Sequence, residues 1–244
     1  MALILLALML FALSGCAASK GFDRQAMQDM LHAEPDVVTD RDIACVLDLQ
    51  AELPAPFRLA LYFRTDHRPF ELSVQRADWL AADKDVVLNS LKPLKEENIV
   101  KTAFVLADSA VQGTLNRDIR LAAARYNADV VVVVQGAAAV DRYNNGSAAW
   151  YATILGLYLA AGTQSDALFM IEGTVWDVRT GYLYGTQAAE GTARSVGPAA
   201  SLEDREVVAR AKAAALASFS EDLANVLRVM RERFPRRPLP AGDE

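Results

Sequence analysis

The chain has 244 residues, of which 52% are hydrophobic and 23% are charged, and its formal net charge is -6 at pH 7. This length and composition are typical of one large globular domain with appended segments. The negative charge argues against a nucleic-acid partner, because such binding depends on neutralising phosphate groups with a basic surface.

The N-terminus carries the pattern of a bacterial lipoprotein signal. The apolar run of residues 2–13 is too short to span a bilayer, which needs roughly 20 apolar residues. Ser14-Gly15-Cys16 follows, with two small residues before the cysteine. We predict that residues 1–15 are a signal peptide and that Cys16 becomes the N-terminus, carrying lipid such as palmitate on its sulfur. The alternative is a buried or spanning N-terminal helix with an incidental cysteine.

The location follows from the same signal. Ala17 stands after the cysteine, in place of the aspartate associated in enteric bacteria with retention at the inner membrane. We therefore predict a lipid-anchored cell-envelope protein at the outer membrane, facing the periplasm. Residues 17–42 are polar and irregular apart from a helical patch between Phe22 and Leu31, and we interpret residues 16–50 as the lipidated N-terminus and a tether.

Cys45 is the second of two cysteines, so lipidation of Cys16 leaves it without a disulfide partner. Because Cys45 lies in an apolar stretch, we predict a small core residue. A catalytic thiol would need a partner histidine, and His32 and His67 lie in polar, loop-like surroundings. No Cys and His pair shows metal-ligand spacing, and we predict no metal and no cofactor.

An acidic group in the tether could suggest a cation site. A solvated linker explains the same residues, and we prefer that interpretation. The group consists of Asp36, Asp40 and Asp42.

Strands and helices alternate from residue 57 to residue 134. Aromatic and aliphatic alternation predicts a strand at Phe57–Phe63, and a 3.6-residue period predicts a helix from Ser73 to Leu91 that Pro93 ends. Five consecutive valines, at residues 130–134, predict a strand covered on both faces. Between these lie a predicted strand at Ile99–Ala107 and a helix that begins at Thr114 and ends at Asn127.

The uncharged stretch from Ser147 to Gly162 is the least ordinary part of the chain. Its length and two internal glycines fall short of a membrane span. A packed crossover is one alternative, and an apolar surface for a partner or for the lipid interface is another. We predict an interaction surface that consists of Trp150, Tyr151, Ile154, Leu155, Leu157 and Tyr158.

The C-terminal part predicts a long antiparallel hairpin and a helix. Asp166–Val178 and Tyr182–Ser195 have strand character on either side of a tight turn with Gly181. A helix is predicted from a cap at Ser201 to about Phe234. The expected fold class is α/β, a mixed β-sheet with helices packed against it. We assign residues 51–235 to one periplasmic domain and residues 236–244 to a disordered tail.

Few residues indicate chemistry. Asp177 and Glu172 on the hairpin are the candidate acids, but a carboxylate before a tight turn more often accepts hydrogen bonds from the turn amides. The second notable group is a set of arginines near the end of the last helix, which the helix macrodipole favours there. Attraction to anionic lipid is the alternative. The group consists of Arg228, Arg231, Arg233, Arg236 and Arg237.

Three segments together resemble exported bacterial lipoproteins, namely residues 126–134, 150–158 and 175–181. The chain resembles the rhombotarget lipoprotein family and, at fold level, the curli-secretion lipoprotein, the TolB N-terminal domain and the lipoprotein activators of peptidoglycan synthases. The resemblance covers residues 57 to 230 and implies no catalytic residue. The sequence departs from a rhomboid-protease target, because it ends in Pro238-Leu239-Pro240-Ala241-Gly242-Asp243-Glu244 without a glycine-glycine motif and apolar helix.

We therefore expect a non-enzymatic binding or assembly role, with a protein partner or a second copy of the chain. The alternative is a subunit of a ring-shaped secretion or envelope complex, which the curli-type resemblance implies. An envelope hydrolase would need a convergent acid or nucleophile cluster, which the sequence does not show.

Overall fold

The computed structural model describes residues 18–31, 40–51, 53–65, 74–148 and 159–234. In these ranges a six-stranded mixed sheet forms the centre of the fold. Its strands are β1 (Phe57–Phe63), β2 (Val74–Arg76), β3 (Val100–Val105), β4 (Val130–Asn144), β5 (Thr163–Asp177) and β6 (Leu183–Gly197). The α/β class with a mixed sheet and a long antiparallel hairpin is confirmed.

The strand order is β3-β1-β4-β5-β6, with β2 beside β4. β1 is parallel to both β3 and β4, whereas β4, β5 and β6 form an antiparallel meander. β4 is long enough to serve two partners on one side: residues 130–134 pair with β1 and residues 137–139 pair with β2. The sheet therefore has a short mixed part and a long antiparallel part.

The helices of the described part of the chain include α1 (Arg24–Leu31), α2 (Asp40–Leu47), α3 (Ala81–Ser90), α4 (Lys92–Glu96), a 3-10 helix (Asp108–Ala110), α5 (Asn116–Arg125) and α6 (Asp204–Arg233). None of them, within those ranges, combines the length and apolar character that a bilayer span requires.

Both faces of the sheet are covered by helices. On one face Leu223 and Phe219 of α6 pack with sheet residues such as Val132. On the other face Ile119 of α5 packs with Val131, at the end of the sheet where β1 lies. The prediction that the valine strand is covered on both faces is confirmed, since residues 130–134 are all buried.

The same second face continues beyond α5, and α1 covers it there. Met27 and Leu31 are buried against Ala137 of β4 and Leu168 of β5. α1 thus packs on the sheet although it falls within the segment that the sequence predicts as a tether. The physical reason is that β4 and β5 are long, so their apolar residues beyond α5 need a cover of their own.

Two sequence predictions about local structure are wrong. Val74 begins strand β2 and not a helix, because it pairs with Ala139 of β4, and the helical part begins only at Ala81. Cys45 is exposed on α2, which buries none of its residues, so it is not a core residue. Its apolar neighbours Ile43, Val46 and Leu47 are exposed with it.

Helix boundaries differ from the predicted ones by a few residues. α6 begins at Asp204 and its N-cap is Glu203, whereas Ser201 donates its backbone N–H to Pro198 in the preceding turn. Pro93 lies in the first turn of α4, immediately after α3 has ended, where its missing N–H removes no helical hydrogen bond.

Candidate functional site

The two ends of the sheet carry different networks of hydrogen-bonded polar side chains. At one end β4 finishes at Asn144 and β5 begins at Thr163, whose hydroxyl donates to the Asn144 side-chain oxygen at 3.1 Å. We call this the β4–β5 end. At the opposite end Asp177 closes β5 before the hairpin turn, and we call it the turn end.

The N-terminal segment of the described chain is bound to the β4–β5 end. The carboxylate of Asp141 on β4 accepts hydrogen bonds from the Gly21 backbone N–H at 2.9 Å and from the Lys20 N–H at 3.3 Å. It also accepts one from the Ser19 hydroxyl. Asp141 is buried, with 7% of its surface exposed, so these donors provide the hydrogen bonds that a buried carboxylate needs.

Gly21 gives this segment its shape. Its φ is 71°, in the left-handed region that favours glycine, and its N–H points to Asp141 in that conformation. The chain then enters α1, where Arg24 forms an ion pair with Glu190 of β6 at 2.6 Å. Met27 and Leu31 of α1 are buried against the sheet. Residues 19–31 are therefore held at one end by Asp141 and at the other by the burial of α1.

A second carboxylate lies beside Asp141 on the same face. Asp166 of β5 receives two hydrogen bonds from the Arg194 guanidinium, at 2.8 and 2.9 Å, one from the Tyr143 hydroxyl and one from Gln164. Burial raises the pKa of the Asp166 carboxyl, but the hydrogen bonds outweigh it and hold the pKa below its ordinary value. Desolvation by burial is the main cause that raises the pKa of the Tyr143 hydroxyl, and its hydrogen bond to Asp166 raises the pKa further.

The other face of the β4–β5 end carries a third carboxylate. Asp204, the first residue of α6, accepts from the buried Ser165 hydroxyl at 2.7 Å and pairs with Arg142 at 3.5 Å. Its position at the helix N-terminus is favourable for a negative charge. Arg142 also donates to the Ala199 carbonyl at 2.8 Å, which fixes the connection between β6 and α6.

The turn end is organised around Asp177, as predicted. One carboxylate oxygen accepts from the backbone N–H groups of Arg179 and Thr180, at 2.8 and 2.9 Å. The other accepts from the Tyr184 hydroxyl at 2.7 Å. Gly181 has a φ of 78°, which confirms its role in the turn. The structural interpretation of Asp177 is thereby confirmed.

Glu172 cannot assist Asp177 in acid-base chemistry. The two residues are five positions apart on β5, a separation of about 17 Å, and an odd spacing places them on opposite faces of the sheet. Glu172 instead accepts from the Gln135 amide at 3.3 Å. Among the described residues, no three histidine, cysteine, aspartate or glutamate side chains form a group that could hold a metal ion.

The described members of the predicted arginine group, Arg228, Arg231 and Arg233, lie near the C-terminus of α6, apart from the β4–β5 end. Arg228 pairs with Glu97 through two hydrogen bonds, at 2.8 and 2.9 Å, and this contact lowers the pKa of the Glu97 carboxyl. Arg233 lies 5.9 Å from the Phe234 ring. Arg228 therefore connects α6 to the end of α4.

Several predicted residues lie outside the described ranges. They are Cys16, His32, Asp36, His67, Trp150, Tyr151, Ile154, Leu155, Leu157, Tyr158, Arg236 and Arg237. The chain that flanks the predicted interaction surface is described: Ala148 is buried, and Leu159 is 76% exposed near the start of β5. Sequence reasoning missed Asp141 and Asp166, because no local pattern relates either residue to its partners.

The fold and these networks define an α/β protein whose mixed sheet is tied to its own N-terminal segment. The chain matches no known protein-family model and no curated protein. The resemblance to the rhombotarget lipoprotein family is therefore not supported by the comparisons.

Solved structures show a remote likeness. A dodecamer of a PelC point variant from Paraburkholderia phytofirmans is 14% identical at a TM-score of 0.31, over 73% of this chain and 91% of that one. Protein XCC0632 from Xanthomonas campestris is 12% identical at a TM-score of 0.31, over 75% of this chain and 93% of that one. A Helicobacter pylori protein named as a homologue of the neuraminyllactose-binding hemagglutinin is 9% identical at a TM-score of 0.32, over 75% of this chain and 90% of that one. At these scores the likeness carries no argument about function.

Proposed function

We propose that this protein is a lipid-anchored component of the bacterial cell envelope with a non-catalytic binding or assembly role. In this proposal Cys16 carries the lipid, the protein resides at the outer membrane, and the folded part faces the periplasm. The observation that carries the proposal is the attachment of Ser19 and Gly21 to Asp141. An anchor at Cys16, three residues before Ser19, would hold the sheet close to the membrane in a defined position.

The chemistry of the hairpin supports a non-enzymatic role. Asp177 is one of the two candidate acids of the hairpin, and both of its carboxylate oxygens accept hydrogen bonds within the turn. A general acid or base needs a free proton-transfer path to a substrate, which a fully buried turn acceptor lacks. Asp141 and Asp166 likewise bind donors of the protein itself.

The binding surface in this proposal is the uncharged segment between β4 and β5, with Trp150, Leu157 and Tyr158 among its residues. Its flanks leave the sheet at the β4–β5 end, beside the N-terminal segment. The exposed side chain of Leu159 is the last large apolar residue before β5. A protein partner or a second copy of the chain would cover such apolar groups.

One observation favours the ring-subunit alternative. In the described sheet, β6 is an edge strand of fifteen residues, and its sequence contains no proline. An edge strand can extend a sheet by pairing with another chain, and a head-to-tail contact of this kind closes into a ring when the rotation allows. Light scattering of the purified protein distinguishes a monomeric adaptor from a ring.

Metabolic labelling with palmitate tests the anchor. Cys16→Ser should abolish incorporation of the label and release the protein from the membrane fraction. The matched control is Cys45→Ser, which removes the other cysteine and should incorporate label normally. Label that persists in Cys16→Ser would contradict the proposal.

A charge in the uncharged segment tests the binding role. If Leu157 contributes to an interface, Leu157→Asp should leave the melting temperature almost unchanged and abolish self-association or partner capture. A large fall in melting temperature without folded monomer would show that Leu157 is a core residue. Leu183→Asp, at the exposed opposite end of the sheet, is the control.

A further inference from the structure

A groove lies between the first residues of β6 and the last turns of α6. The rings of Tyr184 and Phe234, with centroids 5.2 Å apart, close one end of it. At the other end the Gln187 amide donates to the Asp222 carboxylate at 3.1 Å. The groove has a volume of about 310 Å³, and ligand clefts commonly have volumes of roughly 300–1,000 Å³. It is therefore large enough to hold a ligand side chain.

The wall of the groove is apolar. Met230 of α6 is buried, and Val229 beside it is 60% exposed although it is a large apolar residue. The ring of Tyr184 is fixed in place, because its hydroxyl donates to Asp177 at 2.7 Å. An apolar side chain in the groove would remove Val229 from water, which favours binding.

The two ends of the groove carry opposite charges. The Arg233 guanidinium lies 5.9 Å from the Phe234 ring and has no ion pair within the residues that the structure describes. Asp222 lies eleven residues earlier on α6, which is about 16 Å along the helix. A complementary ligand would place an anionic group near Arg233 and a cationic group near Asp222.

The edge of the sheet adjoins this groove. β6 is the last strand in the order of the described sheet, so its outer side can pair with an added strand. Tyr184 lies at the Arg233 end and Gln187 at the Asp222 end, so a peptide that ends near Arg233 would run antiparallel to β6. An extended chain covers about 16 Å in about five residues. The strand edge favours a peptide over an apolar acid, because only a peptide has backbone groups to pair with it.

We propose that this groove binds the C-terminal end of an extended partner peptide. The last side chain of the peptide is apolar and packs against Val229 and Phe234, and its terminal carboxylate pairs with Arg233. A basic residue four positions earlier pairs with Asp222. Recognition then combines strand addition with capture of a C-terminal carboxylate. The inference goes beyond the proposed function, since it depends neither on a lipid at Cys16 nor on the segment between β4 and β5.

The probe is the synthetic peptide Gly-Lys-Thr-Val-Thr-Leu, with fluorescein on its N-terminus and a free C-terminal carboxylate. Fluorescence anisotropy measures its affinity for the purified full chain. The same peptide with a C-terminal amide should bind about tenfold more weakly, because it lacks the charge-assisted contact with Arg233. Arg233→Gln should weaken binding of the carboxylate peptide by a similar factor and remove the difference between carboxylate and amide. Arg231→Gln, a loss of charge on α6 outside the groove, is the matched control and should bind both peptides normally.

Two further variants test the rest of the groove. Val229→Glu should abolish binding without lowering the melting temperature, because Val229 is exposed. Leu121→Glu is the matched control, since Leu121 is 54% exposed on α5 and lies outside the groove. Replacing the lysine of the peptide by glutamate should weaken binding to the unsubstituted protein but not to Asp222→Asn.

Several results would overturn the inference. Absence of saturable binding at millimolar peptide, or equal affinity for the carboxylate and amide peptides, would show that the groove does not capture a C-terminus. Normal binding by Val229→Glu would place the peptide elsewhere. An oligomer that Val229→Glu converts to a monomer in light scattering would identify a second copy as the occupant. Binding that requires removal of residues 235–244 would identify that segment as the occupant.

Discussion

The turn end and the β4–β5 end of the hairpin both depend on a buried aspartate, but their partners lie at different distances along the chain. Asp177 binds Arg179, Thr180 and Tyr184, which are two, three and seven residues away. Asp141 binds Ser19 and Gly21, which are 122 and 120 residues away. The first network is a property of a turn, and the second is a property of the folded chain.

This difference determines what each network does. The Asp177 contacts close a turn that glycine and the turn amides already favour, so they stabilise the hairpin locally. The Asp141 contacts fix the segment that precedes α1, and they can be lost without opening the sheet. We therefore expect removal of the two carboxylates to have different consequences.

The largest effect is expected at the turn end. Asp177→Ala removes the acceptor for two part-buried backbone amides and a tyrosine hydroxyl, which should lower the free energy of unfolding by about 3 kcal/mol. Asp177→Asn keeps an oxygen for the amides and should cost about 1 kcal/mol or less. Chemical denaturation measures both. Unchanged stability with abolished function in both variants would instead assign Asp177 to an active site.

A smaller and more local effect is expected from Asp141→Ala. Loss of its hydrogen bonds should lower the free energy of unfolding by about 1–2 kcal/mol. Hydrogen exchange should accelerate at Gly21 and along α1 but not in the strand core around Val132. A uniform acceleration over the whole sheet would show that the two ends are not independent.

The acid dependence of stability should report on the Asp166 network at the β4–β5 end. Because the folded-state pKa of Asp166 is lowered from its ordinary value of 3.8, its stabilising contribution is fully present above the unfolded-state pKa, near 4. That contribution is lost as the pH falls below 3.8 through the folded-state pKa.

Arg194→Gln tests the cause of this shift. It should move the carboxyl resonance of Asp166 in an NMR titration to a higher midpoint and flatten the acid dependence of stability below about pH 4. A midpoint that does not move would show that Arg194 does not hold the pKa of Asp166 down.

The smallest effect is expected from the ion pair between α1 and β6. The Arg24 and Glu190 side chains are 53% and 42% exposed, so Arg24→Gln should cost about 0.5 kcal/mol or less. Glu190→Gln is the matched variant and should behave alike in chemical denaturation. A loss above about 1 kcal/mol would mean that the pair, and not the burial of Met27, holds α1 on the sheet.

Local sequence patterns predict an element correctly where the residues that form it are close together in the sequence. Phe57–Phe63, the valine strand and the Asp177 hairpin were predicted from alternation, β-branching and turn chemistry. The sequence pattern predicts a helix at Val74, because its strand partner Ala139 lies 65 residues away and produces no local pattern. The sequence likewise predicts a buried Cys45, because an apolar stretch does not show whether another element covers it, whereas the structure leaves Cys45 exposed.

The amino-acid sequence by itself determined the fold class, the hairpin and the hydrogen bonds of Asp177 to the turn amides. Only the tertiary structure decided that α1 packs on the sheet and that Ser19 and Gly21 bind Asp141. The physical reason is chain entropy: contacts over two to seven residues follow from backbone preferences. A contact over 120 residues forms only after the sheet has brought its partners together.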